Sequence, residues 1–228
     1  MQLENVTKRS KSETKRGYGD ACGTAHGLEL IGERWTLLVL RELLLGPRRF
    51  SELRADLPGI SANVLSQRLI ELEAKGLARR VRLPPPANVQ VYQATAWGLE
   101  AEPLIQTLGR WAARSPAHDP TLPLSGVSIM LSFRTMLDSE RAQGVAGSFG
   151  FRFGHDHYVG RLDGGTFTVE RGDTSAADVI FTGAPTALAA IVYGGQPLDL
   201  VEVSGDRDLA RRFVALFPLP SKVSPQDH

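Results

Sequence analysis

Residues 48–76, RRFSELRADLPGISANVLSQRLIELEAKG, decide the fold. Phe50, Leu53 and Leu57 recur at helical spacing, which predicts a helix over 49–57. Pro58-Gly59 turns the chain. Ser61 is an N-cap residue type, and the helix that follows, 62–75, sets Leu65, Leu69 and Leu72 on one face with Val64 beside them. Gly76 stands where a helix ends in the left-handed region. Downstream, 77–83 and 89–94 read as two strands around the stiff tip Pro84-Pro85-Pro86-Ala87-Asn88. Thr95 then caps a helix over 96–114 with an apolar stripe of Leu99, Leu104, Leu108 and Trp111. Upstream, a short helix over 24–31 breaks at Gly32-Glu33. A leucine-rich helix over 35–45, apolar nearly all round, is the expected buried centre, and Gly46-Pro47 stops it.

Two helices across a tight turn with a hairpin directly after them make a winged helix-turn-helix. Its second helix enters a major groove only with a polar, reachable face, and here Ser61, Ala62, Asn63, Ser66, Gln67 and Arg68 occupy the first turns. Asn and Gln pair bidentately with adenine, and Arg with guanine. The hairpin carries Arg79, Arg80 and Arg82, with Asn88 and Gln90 near its tip, to lie along phosphates or reach a minor groove. Arg48, Arg49 and Ser51 open the preceding helix as a phosphate clamp. The charge distribution agrees: residues 1–118 hold 17 Lys and Arg against 12 Asp and Glu, whereas 119–228 hold 9 against 13, so one half alone suits a polyanion. In the polar tail 1–20, Lys8, Arg9, Lys11, Lys15 and Arg16 either brush phosphates or stay solvated.

Residues 22–115 resemble the HxlR-type winged helix-turn-helix regulators of bacteria. The likeness is carried by Cys22, the run Leu30–Leu43 (LIGERWTLLVLREL), Gly46–Leu53 (GPRRFSEL), Gly59-Ile60-Ser61, Leu65–Leu69 (LSQRL), Leu72-Glu73, Gly76-Leu77, Tyr92, Thr95, Gly98 and Trp111. The resemblance implies a homodimer built through terminal helices on a two-fold-symmetric, double-stranded operator. The stripe on 96–114 and the helix near Cys22 would supply that interface. Related chains often carry a cysteine near this position, and some sense oxidants or electrophiles with it. Cys22 is the only cysteine, so it is either inert near the interface or redox-active through an intersubunit bridge or a thiol adduct.

The chain divides into a tail 1–20, the winged DNA-binding and dimerisation domain 21–115, a proline-rich linker 116–125, a second domain 126–218 and a tail 219–228. The second domain is expected to be α+β, a mostly antiparallel sheet with packed helices. Helices are predicted over 127–139, 185–193 and 207–217, and strands at 149–153, 158–161, 166–170, 177–182 and 200–203. It resembles a sterol carrier protein-like domain through Ala177–Thr182 (ADVIFT), Pro185, Leu188–Gly195 (LAAIVYGG), Val203, Gly205-Asp206, Leu209, Arg211-Arg212-Phe213 and Leu216-Phe217. That resemblance implies an apolar tunnel for a hydrophobic effector. Met130, Phe133, Phe149, Phe151 and Phe153 either line it or belong to the core. Residues 194–200, GGQPLDL, depart from the more helical stretch usual in related chains, which leaves the pocket's shape open.

Other chemistries find little support. His155, Asp156 and His157 read as a turn between strands rather than a metal site, because the two histidines would share a strand face while Asp156 points away. No phosphate-binding Gly-rich loop, H-E-x-x-H or G-x-S-x-G is present, so neither an enzyme nor a cofactor is expected. One cysteine, no apolar leader and no long apolar run point to the cytoplasm rather than a membrane. The function expected is a dimeric, sequence-specific regulator whose C-terminal half binds a hydrophobic small molecule. The competing class is a hydrophobe carrier that uses the winged unit only to dimerise.

Overall fold

A computed structural model describes residues 17–224. The basic residues Lys8 to Arg16 of the expected N-terminal tail, and 225–228 of the expected C-terminal one, lie outside the described residues.

The first half runs α1 (Gly23–Ile31), α2 (Thr36–Leu43), α3 (Phe50–Asp56), α4 (Ala62–Ala74), then the hairpin β1 (Ala78–Arg82) and β2 (Gln90–Ala94). The turns form where the sequence places them. Gly59 and Gly76 take φ of 90° and 72°, a region open to Gly at little steric cost. Leu65, Leu69 and Leu72 of α4 pack on Val39, Leu40 and Leu43 of α2, with Leu53 and Leu57 closing one core. Each such fully buried leucine contributes about 2 kcal/mol. The strands pair antiparallel from Ala78 opposite Ala94 to Arg82 opposite Gln90. Arg48 and Tyr92 exchange backbone hydrogen bonds of 2.9 and 2.8 Å, adding one short antiparallel bridge to the wing.

The single helix expected over 96–114 is two: α5 (Ala96–Leu99) and α6 (Glu102–Ala112). Pro103 explains the break, because inside one continuous helix it would lack the N–H owed to the carbonyl four residues earlier; here it occupies the first turn of α6 instead.

The second half opens with α7 (Gly126–Met136), capped by Ser125, whose Oγ accepts from the Ser128 N–H at 3.0 Å. There follow β3 (Gly147–Phe153), β4 (Asp156–Asp163), β5 (Thr166–Arg171), β6 (Val179–Thr182), α8 (Pro185–Gly194), a 3-10 turn (Leu198–Leu200), β7 (Glu202–Gly205) and α9 (Arg207–Val214). The strand expected at 200–203 starts two residues later because the 3-10 turn precedes it. The sheet order is β5-β4-β3-β6-β7, antiparallel except where β3 and β6 run parallel. The second core draws Leu44, Leu45 and Ala113 out of the first half, so the two cores meet. The segment expected as a tail from 219 is fastened at its start. Lys222 Nζ donates to the carbonyls of Ala113, Ser115 and His118 at 3.0, 2.9 and 3.1 Å, and the Val223 N–H donates to the Arg114 carbonyl at 2.8 Å. No helix among the described residues is long and apolar enough to cross a membrane.

Candidate nucleic-acid interface

Burying the leucine face of α4 turns its other side outward. Ser61, Asn63, Ser66 and Gln67 are exposed, and Ala62 is half-buried. Ser61 Oγ accepts from the Val64 N–H at 3.3 Å and so fixes the first turn, from which these side chains project. Gln67 Nε2 donates to Glu71 Oε1 at 2.9 Å, a bond at the helix surface. Arg68 differs from its neighbours. Its side chain is 13% exposed, and it donates to Glu33 Oε2 at 3.2 Å and Glu71 Oε1 at 3.3 Å. As placed it braces α4 against the loop after α1 and is not presented to a base.

Period-two alternation in β1 sets Arg80 and Arg82 on one face of the wing, opposite Tyr92 and Gln90, while Arg79 lies on the other opposite Gln93. Arg80 stands 3.7 Å from Glu73, an exposed pair of little strength. Arg82 Nε donates to Asn88 Oδ1 at 2.9 Å, and both are exposed with Gln90 near the tip. Arg49 and Ser51 are exposed at the start of α3, where the Arg49 N–H donates to Glu52 Oε2 at 2.8 Å.

Arg48 is not part of this surface. Its side chain is 3% exposed and its guanidinium faces the second half of the molecule. Nη1 donates to both carboxylate oxygens of Asp156 at 2.7 Å, and Nη2 to Asp56 Oδ2. Arg171 joins the cluster, donating to Asp156 Oδ1 at 2.6 Å and to the Tyr158 hydroxyl at 2.9 Å. Burial opposes ionisation of Asp156, but the bonds from Arg48 and Arg171 outweigh it and hold the carboxyl below its ordinary value. At Asp56 burial prevails and the pKa is raised. Arg48 therefore leaves the expected phosphate clamp: the same guanidinium cannot ligate a phosphate while locked to two half-buried aspartates. Sequence reasoning missed Asp156, which it read only as a residue in a turn.

A second polar junction is built on Glu42 of α2. Glu42 is fully buried; its Oε1 accepts from Arg41 Nε and Nη2 at 2.9 and 2.7 Å and from Ser125 Oγ at 2.8 Å, while Oε2 is buried without a partner. Burial pushes its pKa up despite Arg41. A lone acid within the apolar run 35–45 was the available signal for this contact. Arg134, which donates to Glu102 at 2.6 Å, adds a further cross-link between the halves.

The five side chains read as either tunnel lining or core belong to the second core. Met130, Phe133, Phe149, Phe151 and Phe153 are all buried. Ring centroids lie 4.5 Å apart for Phe133 and Phe217, 4.1 Å for Phe149 and Phe213, and 5.6 Å for Phe151 and Phe181. At such spacings the rings pack on each other and leave no room for a ligand between them. A cavity of about 470 Å³ opens elsewhere, between α2, α6, the segment 118–124, α7 and α8. The stripe on α5 and α6 is exposed: Leu99, Leu104, Leu108 and Trp111 at 45, 51, 43 and 70%. Cys22 is exposed just before α1, its thiol pKa lowered by hydrogen bonds from the Ala25 and Thr24 backbone. His155 lies in the β3–β4 turn and His157 on β4, and no group of three potential metal ligands occurs among the described residues.

Comparison with known proteins places similarity in the first half. A family model described as HxlR-like helix-turn-helix matches residues 30–119. The HTH-type transcriptional regulator YvaP of Bacillus subtilis (strain 168) is 37% identical over 86 residues, covering 37% of this chain and 79% of the relative. YkvN of the same organism, also described as an HTH-type transcriptional regulator, is 40% identical over 92 residues, 40% of this chain and 77% of the relative. Among solved structures, the reduced form of the transcriptional regulator YodB from B. subtilis is 30% identical. It matches 44% of this chain and 100% of that one with a TM-score of 0.39.

Proposed function

From its membership of the HxlR-like helix-turn-helix family of transcriptional regulators, to which the chain belongs, we propose that it reads operator DNA sequence-specifically as a homodimer, under control of a hydrophobic effector. The observation that carries the reading is the pairing of two surfaces. The exposed first turns of α4 present Ser61, Asn63, Ser66 and Gln67, and the wing beside them presents Arg80 and Arg82 on one face. Asn63 and Gln67 supply amides of the kind that pair with adenine, while Arg49, Arg80, Arg82 and Ser51 reach phosphates. Asn88 and Gln90 at the wing tip reach the adjacent groove. Ala62 sits close enough to the helix start to meet a thymine methyl.

The exposed stripe on α5 and α6 supports the dimer, since large apolar side chains gathered on one pair of helices and open to solvent are the kind of surface a partner covers. The division at 21–115, 116–125 and 126–218 belongs to the same proposal, with the sterol carrier protein-like assignment of the last segment supported by helices packed on a mainly antiparallel sheet. The winged unit then binds DNA, and the second half, joined to it by Arg48–Asp156 and Glu42–Ser125, sets its posture.

Binding of the full chain to DNA from beside its own gene, followed by fluorescence anisotropy, tests this. Gln67→Ala should weaken specific binding by about 1–3 kcal/mol and leave non-specific binding unchanged. An equal loss on both DNAs, or none on either, overturns the assignment of α4 as the reading helix.

A further inference from the structure

We propose that the cavity between the two halves is the effector site and that it takes an anionic amphiphile, an extended apolar body carrying a carboxylate. This deepens, and rests on, the reading of the chain as an effector-responsive regulator. At about 470 Å³ the cavity has the size of an ordinary small-molecule site. Its walls are mainly apolar: Leu37 and Leu38 of α2, Ile105 and Leu108 of α6, Leu131 of α7, and Leu122 of the connecting segment.

Polar groups are set into that lining, among them Gln106, His118 and Thr135. Ser132 and Tyr193 share a hydroxyl–hydroxyl bond of 2.5 Å between α7 and α8. Arg41 is the one guanidinium or ammonium among the lining residues. It spends Nε and Nη2 on a single oxygen of Glu42, and Nη1 makes no hydrogen bond among the described residues. One acid, Asp119, is also present, but its Oδ1 already accepts from the Thr121 N–H at 2.9 Å and from the Thr121 hydroxyl at 2.6 Å. An apolar body with one anionic end matches a mainly apolar cavity whose one permanent cation, Arg41, offers a spare donor, with the His118 imidazole also in the lining. A neutral hydrocarbon would leave that donor unused, and a cationic amphiphile would meet it with like charge.

The position gives the ligand leverage. Arg41 adjoins Glu42, which bonds Ser125 across the junction, and Leu108 belongs both to the cavity wall and to the exposed stripe on α6. A molecule that fits one spacing of α2, α6 and α7 better than another therefore shifts the stripe and α4 together.

Calorimetric titration of the full chain with sodium dodecanoate, below its micellar range, tests the site without DNA. One dodecanoate should bind per chain, and uncharged dodecanol at least tenfold more weakly. Arg41→Gln should reduce dodecanoate affinity tenfold or more and change dodecanol affinity less than threefold. Because Arg41 also holds a buried acid, Gly109→Phe supplies an independent block. Gly109 lines the cavity, and a Cβ added there meets nothing within 4 Å. That variant should lose at least tenfold in affinity for both probes while keeping the parent's melting profile. Absence of saturable dodecanoate binding overturns the proposal, as would result from a second copy of the chain filling the cavity in the dimer. Equal binding of dodecanol, or unchanged binding in Gly109→Phe, overturns it as well. Anisotropy on operator DNA with and without dodecanoate separates the two layers. Lost ligand binding with intact DNA binding removes the site alone. Ligand binding with unaltered DNA affinity supports the site and removes the effector role.

Discussion

Replacing Arg48 with methionine separates two roles that the same residue type could play. The side chain is 3% exposed, so methionine keeps most of its stem packing while deleting the guanidinium. Lost are both 2.7 Å bonds to Asp156 and the bond to Asp56. Asp156 keeps Arg171 at 2.6 Å, but Asp56 is left with no other salt bridge among the described residues. Removing one partner of a buried pair typically costs about 3–5 kcal/mol. Asp56 and Asp156 retain side-chain exposures of 23 and 16%, so water can offset part of the loss and the lower end, about 3 kcal/mol, applies. With a urea slope of about 3 kcal/mol per molar for a chain of this size, the unfolding midpoint should fall by about 1 M. Asp156→Asn should destabilise in the same direction, and the double variant should lose less than the sum of the two. A phosphate-binding Arg48 gives the opposite pattern: unchanged stability and a salt slope for DNA binding shallower by about 0.9. That outcome would refute the junction role and return Arg48 to the DNA surface.

Other consequences follow from the same geometry. Glu42→Gln should flatten the pH dependence of stability. With its folded pKa raised by burial, Glu42 contributes stability that is full below the unfolded value, about 4.3, and declines as pH rises through the folded one. Urea midpoints of the parent should therefore show a loss across that window that the Gln variant lacks. Ser61→Ala removes the cap on α4 and should cost about 1 kcal/mol in the same assay. Leu104→Glu together with Trp111→Glu places charge on the most exposed part of the α6 stripe and should yield a monomer in sedimentation, with the far-ultraviolet circular dichroism unchanged.

The winged half was legible because its determinants are local. Pro58-Gly59, Ser61 and Gly76 punctuate the chain, and the leucines of α4 repeat at helical spacing, so each element could be read from its own residues. Reading failed where distant chain decides. Arg48 and Arg49 are chemically alike and adjacent, yet one is buried and the other exposed because Asp156, 108 residues further on, captures the first. Arg68, expected on the reading face, is likewise captured by Glu33, 35 residues earlier in the chain. The phenylalanine alternation on β3 correctly marked a strand with a buried face, but periodicity carries no measure of the space between rings. Only the packing shows that Phe213 and Phe217 from the far end of the chain occupy it.

In vitro selection of binding sites from random double-stranded DNA by the full chain addresses the central claim most directly. The selected pool should contain a two-fold-symmetric motif with half-sites about 10 base pairs apart or a multiple of that, one for each α4 of a dimer. Gln67→Ala should lose enrichment at specific positions of each half-site. A pool that returns no enriched sequence, at salt low enough to retain binding, would contradict it.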